Sequence, residues 1–124
     1  MKSTVSLIAV LFGIVFIIIG ILGFFPAVTP HGLLLGIFMV NPIHNLIHIV
    51  SGIVALLVSA NEYYAQLYFK IFGIIYGIVA IAGIILGGNL IIMHVNMADN
   101  ILHIAIAVIS LYLGFFYKRV GSSI

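Results

Sequence analysis

Four long apolar runs, separated by shorter stretches that carry most of the polar residues, set the pattern of the chain. They cover about residues 5–25, 42–60, 67–87 and 98–117, and they leave loops at 26–41, 61–66 and 88–97. Each run is close to the roughly 20 residues with which an α-helix crosses the hydrocarbon core of a membrane. None alternates with a period of two, and backbone groups in lipid must be satisfied within their own segment. The pattern predicts an all-α integral membrane four-helix bundle, with residues 1–124 as one transmembrane domain.

Composition agrees with a membrane protein and removes several functional classes. Of the 124 residues, 65% are hydrophobic and 5% are charged, which is too apolar for a soluble domain of this size. The chain has no cysteine, and this excludes disulfides and thiolate metal sites. Its four Lys and Arg residues form no dense basic patch, so no nucleic-acid partner is expected. No nucleophile elbow, phosphate loop or zinc-protease signature is present, so an enzyme is the least supported class.

The chain contains an internal repeat. Residues 40–49 and 95–104 share Val, Asn, Asn, His and Ile at the same places, and the fifth place holds His44 in one copy and Asp99 in the other. Residues 12–15 and 72–75 share the letters Phe-Gly-Ile ahead of these motifs. The sequence therefore predicts two tandem helical-hairpin repeats, about 5–60 and 67–117. A pseudo-two-fold axis along the membrane normal would relate them, as in other parallel repeats.

The basic residues predict the orientation in the membrane. With four crossings, Lys2, Lys70, Lys118 and Arg119 fall on one side, while the loops at 26–41 and 88–97 have no Lys or Arg. Positive charge marks the cytoplasmic side. We therefore expect a multi-pass protein of a bacterial or archaeal inner membrane, with both termini cytoplasmic and both polar motifs at the outer face. The run at 5–25 exceeds the apolar region of a cleaved signal peptide, so we expect a retained helix.

Two shorter features predict how the bundle is closed and packed. Residues 32–40 and 90–93 are apolar but too short to cross, which is typical of interfacial or re-entrant segments that cap a bundle. In the third run, Gly73 with Gly77 and Gly83 with Gly87 recur at four-residue spacing. This spacing favours close contact between helices in lipid.

The start of each repeated motif has the features of a helix N-terminus. Asn41 precedes Pro42, and this order is typical of an N-cap followed by proline at the first helical position. In the second copy Asn96 takes the cap position and Asp99 the third helical position, where a carboxylate can bond back to the cap. Capping thus accounts for Asn41, Asn96 and Asp99 without any ligand.

Capping does not account for the polar residues that follow. His48 and His103 lie seven residues beyond their caps, where ionisable groups in membrane proteins normally face the protein interior. His44 shares a helix face with His48, and Asp99 shares one with His103. If the two faces meet, the four side chains form a candidate site for zinc or another first-row divalent ion. The candidate ligands are His44, His48, Asp99 and His103. Asn45 and Asn100 are expected to orient the imidazoles by hydrogen bonds without binding the metal.

The same residues fit several alternatives. His48 and His103 alone can be paired axial ligands of a haem, and a proton- or quinone-linked site can use the same histidines. Without a ligand, Asn and His would hydrogen-bond between helices and lock them, as in a structural or accessory subunit that binds another copy or a membrane partner. A channel would need an oligomer. His31 is expected to be solvated, and His94 is a candidate peripheral ligand.

The motifs resemble those of a known family. Residues 36–48, with the letters Gly-Ile-Phe-Met-Val-Asn-Pro-Ile-His-Asn-Leu-Ile-His, and residues 98–103, with Ala-Asp-Asn-Ile-Leu-His, are similar to the two signatures of the bacterial membrane proteins called domain of unknown function 4383. Members often have proline where this chain has Met39 and His94. The resemblance implies a four-helix integral membrane protein and brings no activity with it.

Overall fold

The structure is an all-α bundle of four helices. The computed structural model describes residues 3–119, so Lys2 lies outside the described residues. The helices are α1 (Thr4–Leu22), α2 (Pro42–Val58), α3 (Glu62–Ile85) and α4 (Met97–Phe115). The predicted all-α four-helix bundle is confirmed, whereas the tandem repeat of two hairpins stays a prediction. We call the end of the bundle where α2 and α4 begin the motif end, and the end where they finish the basic end.

Helix α3 begins five residues earlier than the predicted run at 67–87. Asn61 is its N-cap, and the side-chain oxygen of Asn61 accepts a hydrogen bond of 3.2 Å from the backbone N–H of Tyr64. This cap satisfies one of the free N–H groups of the first turn and stabilises a helix start among polar residues. The predicted loop at 61–66 is therefore mostly the first turn of α3.

The helices pair as two hairpins, α1 with α2 and α3 with α4, and α3 also contacts both helices of the first hairpin. Glycines allow the close approach within each hairpin. A carbon added to Gly13 would lie 2.6 Å from Leu56 Cγ, and one added to Gly73 would lie 2.9 Å from the backbone nitrogen of Leu111. Similar contacts thus occur in both hairpins, while the pseudo-two-fold axis that would relate them stays a prediction.

The two members of each predicted glycine pair behave differently. Gly73 and Gly83 face α4 at close range, as predicted, and Gly83 lies against the side chain of Asn100. Gly77 has ordinary room, since an added carbon would lie 3.9 Å from Ala107 Cβ. Gly87 lies beyond the helix with φ +63° and nothing nearby, so it serves the loop rather than helix packing.

The outer surface of the bundle fits lipid. Helices α1, α3 and α4 are long and apolar enough to cross a membrane, whereas α2 has 17 residues and extends about 25 Å. Large apolar side chains face outward on all four helices, among them Ile18, Leu46, Ile78 and Ile101. These lengths and this surface are those of a membrane protein, and four crossings remain a prediction.

The two loops at the motif end cover the bundle. The first contains the antiparallel ribbon of β1 (Leu33–Leu34) and β2 (Phe38–Met39), and β2 contacts α4. The second is closed by a bridge between Asn89 and His94. The sequence predicted capping segments here but not a β-ribbon, because runs of two residues are too short to show a strand period.

Side-chain amides of the two caps tie each hairpin to the loop of the other. Asn41 Nδ2 donates to the carbonyl of His94 at 3.3 Å, and Asn96 Nδ2 donates to the carbonyl of Ile37 at 2.8 Å. These crossed hydrogen bonds fix the starts of α2 and α4 relative to one another. The side chains of the first turns of α2 and α4 are thereby brought together.

Candidate metal centre

Capping places the first turns of α2 and α4. Asn41 Oδ1 accepts from the backbone N–H of His44 at 3.0 Å. In α4 the cap is reciprocal, because Asn96 Oδ1 accepts from the N–H of Asp99 and Asp99 Oδ2 accepts from the N–H of Asn96, each at 2.9 Å. This is a complete capping box.

Three histidines come together inside the bundle just beyond these caps. His44, His48 and His103 are 2%, 5% and 2% exposed. One nitrogen from each lies within 4.8 Å of the other two. The ring centroids of His44 and His48 are 4.4 Å apart, and that of His103 lies 5.7 Å from His44 and 6.5 Å from His48. Two residues of α2 and one of α4 thus converge on a common point.

The imidazoles of this cluster carry unused polar atoms. Among the described residues, no partner with hydrogen-bond geometry is found for Nδ1 and Nε2 of His44, Nδ1 of His48 or Nδ1 of His103, although the backbone of Met39 approaches the His44 ring. Leaving a buried polar group unpaired costs about 1–3 kcal/mol. Each of the three rings therefore has a nitrogen that lacks a hydrogen-bond partner among the described residues, and one nitrogen of each ring lies within 4.8 Å of the other two.

Aromatic rings fix the orientation of two of the histidines. Phe16 stacks on His48 with centroids 5.7 Å apart and planes 16° apart. Tyr76 stacks on His103 at 6.0 Å and 30°. Each contact joins a histidine to the other helix of its own hairpin, so the imidazole planes are held before any ligand binds.

Two cavities adjoin the cluster. One of about 160 Å³ is lined by all three histidines together with Ser51, Tyr76 and Met93. The other, of about 110 Å³, is lined by His44, His48 and Asp99 beneath the β-ribbon. This space accommodates a metal ion with one or two waters. It is too small for a porphyrin, so the cavities do not fit the haem alternative.

Asp99 lies beside the cluster rather than within it. Its carboxylate does not belong to the group of ligand atoms that lie within 4.8 Å of one another. Oδ2 is held by the N–H of Asn96, and the backbone of Met39 lies next to the carboxylate. The i, i+4 spacing does put Asp99 and His103 on one face, but the capping box draws the carboxylate back toward the helix start.

One comparison with known proteins identifies a family. A family model described as a domain of unknown function, DUF4383, matches residues 6–116, nearly the whole chain. The chain belongs to the DUF4383 family. No curated protein and no solved structure matches it.

Asn45 and Asn100 are buried but are directed elsewhere. The side-chain oxygen of Asn45 lies against Gly23 at the end of α1, and that of Asn100 lies against Gly83 of α3. Neither oxygen has a hydrogen-bond partner among the described residues. These contacts do not include the imidazoles, so the predicted role of the two asparagines in orienting them stays a prediction. Each side chain instead packs against a glycine of the neighbouring helix in its own hairpin.

The loop histidines lie outside the cluster. His31 and His94 are both exposed. His94 takes part through its backbone carbonyl, which accepts from Asn41, and its side chain does not belong to the group of candidate ligands. The structure therefore gives His94 a place in the loop and not beside the three buried histidines.

Sequence reasoning missed the aromatic supports of the site. Phe16 and Tyr76 follow Phe12 and Phe72 of the repeated Phe-Gly-Ile segments by four residues, so each lies on the same helix face as that phenylalanine. The offset between the repeats was visible, and extending it by one turn would have found this pair. What the offset could not show is which face of α1 and α3 meets the histidines.

Proposed function

We propose that this DUF4383 protein is a small membrane protein that binds a first-row transition metal, with zinc the best match, through His44, His48 and His103. The observation that carries the proposal is the convergence of three buried imidazoles. Their candidate ligand atoms lie within 4.8 Å of one another, and each ring has a nitrogen without a hydrogen-bond partner among the described residues.

The geometry is close to that of a bound zinc site. A tetrahedral zinc with bonds of about 2.0–2.1 Å to imidazole keeps the ligand nitrogens about 3.3 Å apart. Small side-chain rotations would bring the three nitrogens to that spacing. Imidazole ligands suit zinc, copper, iron and nickel, and the absence of cysteine from the sequence excludes the thiolate sites of softer ions.

The fourth coordination position is proposed to face the cavities. Three protein ligands with one open position are typical of zinc sites that bind water or a small exogenous ligand. Asp99 lines the cavity of about 110 Å³ with His44 and His48, so its charge would favour a cation there. We assign Asp99 to this supporting position, and direct coordination by its other oxygen, Oδ1, would make Asp99 a fourth ligand of the same site.

The proposed orientation puts this centre near the outer face of the membrane. Lys70, Lys118 and Arg119 together line one cavity at the basic end. Because basic residues favour the cytoplasmic side, we propose that both termini are cytoplasmic in a bacterial or archaeal inner membrane. A metal bound at the motif end would then be reached from outside, beneath the β-ribbon.

The first test is metal content. Protein purified in mild detergent without chelator, loaded with zinc and then dialysed, is expected to retain about one metal per chain, as the three convergent ligands of one site imply. The variants His48→Ala and His103→Ala are expected to lose it, because each removes one of three ligands. His94→Ala, a change at an exposed histidine, is the matched control and should retain the metal. A wild-type protein without metal, or a His48→Ala variant with unchanged content, would refute the proposal.

A second test separates the capping role of Asp99 from coordination. Asp99→Asn keeps an oxygen that can accept the N–H of Asn96, so helix α4 should form normally. We expect zinc affinity to fall by about tenfold, which is typical of the loss of a residue that supports the ligands without binding the metal itself. A competition titration with a chromophoric chelator measures this, and complete loss of binding would make Asp99 a ligand.

One observation favours a second candidate function. The rings of His44 and His103 contact each other edge to face across the two hairpins. Such contacts alone could lock the bundle of a structural or accessory subunit, which would bind another copy or a membrane partner. In that case removing the histidines would lower stability and metal would have no effect.

A further inference from the structure

The basic end of the bundle holds a second, chemically different cavity. It has a volume of about 380 Å³ and lies where α3 and the end of α4 meet. Its lining includes Gln66, Lys70, Lys118 and Arg119. It is remote from the histidine cluster, and nothing in the proposed metal site uses these residues.

Close packing of the two helices brings Lys70 to this cavity. A carbon added to Gly114 would lie 2.6 Å from both Cα and the backbone nitrogen of Lys70, so the two backbones touch. The Nζ atom of Lys70 lies 5.2 Å from the centroid of the Phe115 ring. Cation–π contact of this kind holds a lysine in place without neutralising it.

Gln66 fixes the segment that carries the other two cations. Its Nε2 donates to the carbonyl of Leu113 at 3.1 Å and to that of Tyr117 at 2.7 Å. These bonds satisfy carbonyls at and just beyond the end of α4 and hold the segment after this helix against α3. Arg119 also lies over the ring of Tyr63, with its Cζ 5.2 Å from the centroid. Lys70 and Arg119 thus each lie over an aromatic ring, a contact that does not neutralise their charges, and Lys118 lines the same cavity.

The charge balance at this end is positive. The chain has two acidic residues, and Asp99 lies at the motif end, so Glu62 is the one carboxylate among the described residues here. Glu62 accepts a hydrogen bond of 2.9 Å from the hydroxyl of Tyr117. Partial burial, and then the hydrogen bond and charge of Glu62, raise the pKa of Tyr117, so this hydroxyl stays a neutral donor.

Lys70 lies within a largely apolar helix, so its ammonium needs water or an anion close by. It lies eight residues after Glu62, which is about 12 Å along the helix. A lysine at such a position must direct its ammonium toward the interface, where phosphate groups of lipids lie. Lysine and arginine together suit phosphate, since arginine offers a planar fork and lysine a compact charge.

We infer that the cavity between α3 and the end of α4 binds a phosphate group through Lys70, Lys118 and Arg119. An anionic phospholipid headgroup and a soluble phosphate share this chemistry. The inference does not depend on the metal site, because it rests on different residues at the opposite end of the bundle.

The test uses the full chain in neutral detergent micelles. Three probes are added separately: phosphatidylglycerol mixed with phosphatidylcholine, phosphatidylcholine alone, and inorganic phosphate at matched concentration. Retention is followed by native mass spectrometry and affinity by a thermal-shift titration. Phosphatidylglycerol bound in preference to phosphatidylcholine identifies a lipid headgroup, and binding of inorganic phosphate alone identifies a soluble anion. Binding of neither overturns the inference.

Matched variants separate a built site from general attraction to positive charge. K118Q/R119Q is expected to weaken binding by about twenty-five-fold, about fivefold for each cation removed near the interface. K118R/R119K keeps both charges and should bind nearly as the wild type. Gln66→Leu keeps every cation but frees the segment after α4, so it should also weaken binding. Undiminished binding by Gln66→Leu and by K118Q/R119Q, with normal helix content, would overturn the inference.

Discussion

Zinc at about 100 times its dissociation constant is expected to raise the free energy of unfolding of this protein by about 2.7 kcal/mol. The triple variant H44L/H48L/H103L is expected to show no change under the same conditions. The reason is that only the folded bundle brings nitrogens from α2 and α4 within 4.8 Å, so the metal binds the native state and not the separated helices. Unfolding by sodium dodecyl sulfate in mixed micelles, followed by circular dichroism, measures the difference.

The same pair of proteins behaves differently when a chelator is present. Without metal, the wild type buries imidazole nitrogens that have no hydrogen-bond partner among the described residues. Each such group costs about 1–3 kcal/mol, and leucine of similar volume removes that cost. We therefore expect the metal-free triple variant to be at least as stable as the metal-free wild type. Apolar replacement of buried ionic or polar groups is often neutral or stabilising.

This comparison decides between the two candidate functions. If the histidines only lock the hairpins together, the triple variant loses the edge-to-face contact of His44 with His103 and the stacking of Phe16 on His48. It would then be less stable than the wild type in chelator, and zinc would stabilise neither protein. The variant H31A/H94A, which changes the two exposed histidines, controls for zinc held at the surface.

The fold could be predicted because the apolar runs, which are the strongest signal in the sequence, also determine the fold. Apolar runs of membrane length indicate helices, and few alternatives exist in lipid. The early start of α3 was missed because Glu62 and Gln66 lower the apolar average over its first turn. The Asn61 cap, a local signal independent of hydropathy, could have corrected the boundary.

The site could be predicted only in part, for a physical reason. Repetition marked His44, His48 and His103, and the structure brings all three together. Helix spacing also placed Asp99 on the face of His103, but spacing does not show which partner a carboxylate will take. The N–H of Asn96 holds it, since a cap at a helix start is local and forms with the helix itself. The aromatic supports Phe16 and Tyr76 depend on the contacts between helices.

A matched pair of glycine substitutions in the second hairpin should change stability in opposite directions. Gly114→Ala places a methyl group 2.6 Å from Cα and the backbone nitrogen of Lys70. Backbone atoms cannot rotate aside as a side chain can, so α3 and α4 must move apart along their whole contact. Overpacking of this kind costs about 1–3 kcal/mol.

Gly77→Ala is the control, because its methyl group would lie 3.9 Å from Ala107 Cβ, an ordinary contact. There the change should stabilise α3 by up to about 1 kcal/mol, since alanine is the better helix former. Unfolding in mixed micelles measures both variants against the wild type. If the two variants show the same change in the free energy of unfolding, α3 and α4 are not tightly packed at Lys70. The cavity that holds Lys70 beside Lys118 and Arg119 would then lack the rigid packing on which its phosphate site depends.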